Sequence, residues 1–210
     1  MSTGLVDALA INESDIWRGG HRLLLGDLST PPSFPSKIED VINPTTYVLA
    51  AGWTDIGATT EDGFRLTPEW DTVDGVPIDQ RDTPLFGGNI NNIRINGTAT
   101  AMYTDLATLR VTWAIVGASS AIAAGAGTVA QHVAPIGEVS SLPERMVAIV
   151  QEHEKTGKLR VVAFRRAKLS SPGELPFSSR EVSRNEFTLT FLPDNAITDG
   201  SSFGKIFEED

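Results

Sequence analysis

The chain contains no cysteine, which excludes disulfide scaffolding, cysteine-based zinc sites, iron–sulfur clusters and thiol nucleophiles. Histidine is nearly as scarce. His21, His132 and His153 lie far apart and in no metal-binding spacing of the HExxH kind. Basic residues are in deficit, 17 against 27 acidic, for a formal charge of −10 over 210 residues. A field of that sign does not attract nucleic acid or an anionic membrane. Long hydrophobic runs are missing too. The best candidate, Val111 to Ala130, is diluted by Gly, Ser, Thr and Ala, and the N-terminus lacks a basic region followed by an apolar run. Neither a membrane span nor a signal peptide is therefore expected.

Hydrophobic residues make up 40% of the chain and charged residues 21%, as in ordinary soluble proteins. The length suits one sizeable core, so residues 1–210 read as a single domain. With 19 glycines and 12 prolines, turns are frequent and a helical bundle is disfavoured.

The charges fall in blocks. Trp53 to Asp82 holds Asp55, Glu61, Asp62, Glu69, Asp71, Asp74, Asp79 and Asp82 against two basic residues. Lys155 to Lys168 holds Lys155, Lys158, Arg160, Arg165, Arg166 and Lys168 with no acidic residue. Between them, Thr83 to Gly137 carries only Arg94, Asp105 and Arg110. The first block is a candidate inter-subunit acidic surface, and the second a candidate inter-subunit or outer basic surface.

Period-two alternation marks the strands. Asp15 to Asp27 reads as two short strands about Gly19-Gly20. Thr45 to Ala51 is a strand candidate. Phe64, Leu66 and Trp70 share one face of a strand that Pro68 confines to an edge or a bulge. Asn92 to Ala101 also alternates. Met146–Val150 and Leu159–Phe164 flank a turn at Lys155–Lys158, and Phe187, Leu189 and Phe191 alternate strictly toward a core. Leu106, Leu109, Trp113 and Val116 follow a helical stripe, with Thr104 placed to cap it and Gly117 to end it. These elements make an α+β, mainly β domain with one packed helix. The segment Ser29 to Pro44, with four prolines, reads as an excursion with a binding task.

Chemistry is thinly represented. On a strand, Glu152 and Glu154 point away from His153, so the three form no ligand cluster. Asp55 with Glu61-Asp62-Gly63 lacks the register of a calcium loop. The serines occur without G-x-S-x-G, and the glycines of GASSAIAAGAG precede no Lys-Ser/Thr. No catalytic, cofactor-binding or metal-binding residue is assigned, and no cofactor is expected.

Three features resemble the major tail tube protein of long-tailed bacteriophages. They are the strand region and Pro-rich excursion near the N-terminus, the W-x-x-I-G-x-T-x-E-D-G stretch at Trp53 to Gly63, and F-x-L-x-x-E-W at Phe64 to Trp70 followed by an Asp-rich segment. The strand-then-helix order at Asn92 to Gly117 and the F-T-L-T-F strand before Leu192-Pro193-Asp194 fit as well. The resemblance implies a β-sandwich or barrel-like tube fold whose strands close into an inner β-barrel in a hexameric ring. Rings would stack head to tail in a virion tail assembled in the bacterial cytoplasm. The tail would meet tape-measure, tail terminator and distal tail or baseplate proteins, and pass double-stranded DNA without gripping it or entering a membrane. Within the domain it implies an N-terminal arm (about 1–14), extended loops (about 29–44 and 71–90) and a C-terminal tail (about 196–210). A net negative lumen is expected, because fixed basic groups there would hold the DNA. The other readings are a tube of a secretion or contractile injection system, a monomeric carbohydrate- or protein-binding β module, and a β-rich glycoside hydrolase using paired carboxylates.

Overall fold

The computed structural model describes residues 20–27, 30–57, 59–73, 89–101, 120–125, 129–133, 143–171 and 185–210, with the backbone alone at 59–62, 71–73 and 89–92. Ten strands run through them. They are β1 (His21–Gly26), β2 (Trp53–Asp55), β3 (Thr59–Val73), β4 (Asn89–Ala101), β5 (Ser120–Ile122), β6 (Gln131–Val133), β7 (Arg145–Glu152), β8 (Leu159–Ser171), β9 (Asn185–Leu192) and β10 (Gly204–Glu208). Eight form one antiparallel sheet in the order β2-β1-β7-β8-β9-β4-β3, with β10 also on β8. β5 and β6 pair as a separate ribbon whose residues are all exposed.

β8 is the spine of this sheet. One of its sides pairs with β7, while its start also pairs with β10 and its end with β9. The alternation in β8 changes phase midway. Val147 lies opposite Phe164 but Arg145 lies opposite Ala167, so Arg165 and Arg166 together face the single residue Met146. This β-bulge inserts one residue and switches which positions face inward. Val162 and Phe164 before it, and Ala167 and Leu169 after it, consequently reach the same core.

That core draws side chains from strands across the sheet. Leu23 and Leu25 of β1 and Val147 of β7 meet Phe187, Leu189 and Phe191 of β9 and Ala99 and Ala101 of β4. A second core covers the other face of β1, β7 and β8, where Leu24, Ala148, Val150, Leu159 and Val161 pack under Ile38, Val41, Ile42 and Trp53. The proline-rich segment thus has an intrachain task. It folds through a 3₁₀ turn at Ile38–Asp40 and buries Pro35, Ile38, Val41 and Ile42. The Asp40 carboxylate accepts the Ser36 amide and hydroxyl, both at 2.8 Å, and the Asp40 carbonyl accepts the Trp53 indole N–H at 3.1 Å.

The sequence-based fold expectation needs correction. Among the described residues there is no α-helix, only the 3₁₀ turn. Among the described residues the sheet is not closed into a barrel: its path ends at β2 and β3, and β10 pairs with β8 alone. Among the described residues the architecture is mainly β with an open sheet. The helical stripe Leu106, Leu109, Trp113 and Val116 lies outside the described residues. Pro68 gives a physical reason for the open edge at β3. The register with β4 continues through Pro68 opposite Ile95, so the missing N–H is the one turned away from β4, and an incoming strand would find a gap there.

One local reading also changes. Thr45 to Ala51 is a turn with one isolated bridge, Ile42 to Leu49. The Asn43 carboxamide oxygen accepts the Thr45 and Thr46 amides at 2.9 Å, and Tyr47 sits at φ 56°, a region Asn-led turns reach more readily than a Tyr-led strand. Nearer the C-terminus, the pairing of β10 extends from Gly204–Phe164 to Glu208–Arg160.

Candidate functional site

β4 leaves β9 at Ile95, opposite Phe191, but stays paired with β3 as far as Asn89 and Val73. The β3–β4 pair therefore continues past the end of β9 as a two-stranded arm. Residues directly opposite in an antiparallel pair share a face. One face of the arm is accordingly built from Phe64 with Ala99, Leu66 with Gly97, Pro68 with Ile95 and Trp70 with Ile93. The other carries Arg65 with Thr98, Thr67 with Asn96 and Glu69 with Arg94.

Burial falls off along the apolar face. At its root Ala99 is in the core, and the Phe64 ring meets Phe191 edge-on with centroids 6.4 Å apart. Leu66 is 39% exposed, Ile93 44% and Trp70 59%. The alternation that marked Phe64, Leu66 and Trp70 as one face is present in the structure, but its outer half meets solvent. At roughly 25 cal/mol per Å² of apolar surface, leaving a large aromatic exposed forfeits stabilisation that a partner would restore.

Beside the root of the arm opens a cavity of about 420 Å³. Phe64 and Leu66 form one wall, and Ile149 of β7, Val162 of β8 and Ile206 of β10 the other. Arg160 and Glu208 stand at its rim and pair at 2.9 Å. The volume falls in the range of sites that bind small molecules or side chains.

Asp55 binds Arg22 at 2.7 Å and accepts the Gly57 amide at 2.9 Å. Glu69 is exposed opposite Arg94. Glu61, Asp62 and Asp71 lie on β3, and Asp74, Asp79 and Asp82 fall outside the described residues. Intrachain contacts engage much of the basic block. Arg160 pairs with Glu208, while Arg166 at 2.6 Å and Lys168 at 2.9 Å share Glu144. Arg165 lies 3.8 Å over the Phe34 ring and donates to the Ser201 carbonyl. Lys155 and Lys158 are exposed at the β7–β8 turn. The two donors hold the Glu144 carboxyl down to about 2, with the Arg166 hydrogen bond the larger cause.

Phe187, Leu189 and Phe191 are buried. His153, read from the sequence as belonging to no ligand cluster, is buried in the β7–β8 turn and accepts the Lys155 and Thr156 amides at Nδ1. Sequence reasoning missed Ile206. Among the described residues, no three His, Asp or Glu side chains are grouped to hold a metal.

No protein-family model matches the chain, and no curated protein does. Several solved structures are similar to it in part. One is a chain of the virion of a native gene transfer agent (GTA) particle, with 11% identity over 77% of this chain and 92% of that one and a TM-score of 0.40. Another is a chain of the tail of an empty GTA particle with C6 symmetry, with 10% identity over 90% of this chain and 96% of that one and again a TM-score of 0.40.

Proposed function

We propose that the chain is a structural subunit of a phage-like tail, built to associate with copies of itself. The observation that carries this reading is the arm, whose apolar face carries the exposed pair Trp70 and Ile93. An arm of this length with an uncovered apolar face is costly in water unless association covers it. The sequence features at Trp53–Gly63 and Phe64–Trp70 support the tail reading, because the second of them forms this face.

In finer detail, the subunits form hexameric rings stacked head to tail as a tube for DNA and tape-measure protein, capped by terminator and distal tail proteins, in a virion tail assembled in the host cytoplasm. The role is structural, without catalysis. The net charge of −10 suits a lumen that passes DNA without adhesion. Replacing Trp70 with Lys tests the reading. Wild-type protein should form rings or tubes by negative stain and sediment as a polymer, and Trp70→Lys should remain a folded monomer. A wild-type chain that stays monomeric even with a nucleating tail protein would sink it.

A further inference from the structure

We infer that the cavity at the root of the arm is the socket for the arm tip of a neighbouring copy, so that Trp70 and Ile93 of one subunit seat between Leu66, Val162 and Ile206 of the next. This rests on the self-assembly reading and names the contact that carries it.

Both halves of the contact are present on one chain. The outer arm, or tip, carries an exposed apolar pair, and the socket is a recess of about 420 Å³ lined mainly by apolar side chains. Ile206 is 68% exposed at the edge of that recess, on a short strand whose other large side chain, Phe207, packs against the opposite core. Covering Ile206 therefore requires something that enters from the cavity side.

Charge favours another copy approaching here. The chain carries −10 overall, so two copies repel across most approaches. The arm's apolar face bears no charged residue from Phe64 to Trp70 or from Ile93 to Ala99, and the rim pair Arg160 and Glu208 is neutral as a unit. This is a low-repulsion route for two like-charged subunits.

The geometry also selects the type of contact. Two tips packed face to face would bury Trp70 and Ile93 but leave Ile206 and the recess uncovered. Tip into socket covers both. Because the two surfaces differ, the contact is heterologous and repeats from copy to copy, closing as a ring or running on as a filament.

The absence of cysteine allows a clean test. One full-length preparation carries Ile93→Cys and a second carries Ile206→Cys, and the two are mixed under assembly conditions and treated with a short bismaleimide. Ile93→Cys keeps Trp70 in place, and equal denaturation midpoints for both variants and the wild type establish that they fold. The expected result is a covalent dimer in the mixture and none in either preparation alone, abolished when Trp70→Lys is added to the first chain. Self-coupling of Ile93→Cys would overturn the socket in favour of tip-to-tip packing. Polymer that forms without any coupling in the mixture would overturn it while leaving self-assembly intact. Monomer throughout would remove both readings.

Discussion

Phe164 of β8 and Phe191 of β9 stack with ring centroids 3.9 Å apart and planes 26° from parallel. They meet because the bulge at Arg165-Arg166 changes the phase of β8 between Phe164 and Ala167, and Ala167 is the residue opposite Phe191. A small neighbour beside Phe191 leaves room for the Phe164 ring to lie over it. The same bulge frees both arginines from the core, one toward Phe34 and one toward Glu144.

Replacing Phe191 with Ala should therefore remove a central side chain of the inner core. The expected cost is about 3–5 kcal/mol, from lost burial plus the cavity left between Phe164 and Phe64. Urea denaturation measures it, and a change below about 1 kcal/mol would show that this stack does not hold the two halves of the sheet together.

Much of the sheet was legible in the sequence, and particular residues show why. Phe187, Leu189 and Phe191 alternate without a break because β9 has no bulge, and Pro68 marked β3 as an edge. The faces of β8 were not legible. Strict alternation puts Arg166 on the side of Phe164, whereas the bulge moves it to the opposite side, and two adjacent arginines announce no change of phase. Thr45 to Ala51 has β-branched and aromatic residues yet forms a turn, because the Asn43 side chain claims two backbone amides ahead of any ladder. The site was half legible. Alternation located the apolar face of the arm, but exposure of its outer half depends on where β9 stops pairing with β4, and the socket depends on β10, whose short run Gly204–Glu208 alternates too briefly to announce a strand.

Gly97 is fixed by that arm. It lies opposite Leu66, and a Cβ on it would run into the Phe64 ring and come within 2.9 Å of Phe191. Gly97→Ala should cost about 1–3 kcal/mol by overpacking. Pairing it with Phe64→Leu should recover part of that loss, and a double-mutant cycle by urea denaturation reads the coupling. Strictly additive costs would place the strain elsewhere.

Glu144 should make stability depend on acid. Its carboxyl titrates at about 2 in the folded chain against 4.5 as a free group, because Arg166 and Lys168 both bind it. A carboxyl depressed by folding contributes stability above its unfolded value and loses it as pH falls toward the folded one. The group is about a third exposed, so solvent screening limits the contribution to about 1 kcal/mol. Glu144→Gln should thus be less stable than wild type at neutral pH, with the difference shrinking below pH 4.5 and vanishing near 2. A difference that persists unchanged through that window would assign the effect to packing.

His153 should prove to be a turn-former. Its backbone exchanges 2.8 Å hydrogen bonds with Lys158 and Gly157, and Nδ1 accepts the Lys155 amide at 3.3 Å and the Thr156 amide at 3.2 Å. Gly157 completes the reversal at φ 70°, which a residue with a Cβ rarely adopts. The ring, only 2% exposed, thus occupies the position where a loop would otherwise need an Asn or Asp side chain or a water molecule to satisfy the same amides. His153→Leu keeps comparable apolar bulk but removes the acceptor, leaving two partly buried donors to find other partners at a cost of about 1–3 kcal/mol. Hydrogen exchange should quicken at Lys155 and Thr156 first, since their protection depends on the ring, while the β7–β8 ladder around Val150 and Val161 slows exchange until the sheet itself opens. Equal acceleration along the whole of β7 and β8 would mean that the ring supports the strands rather than the turn.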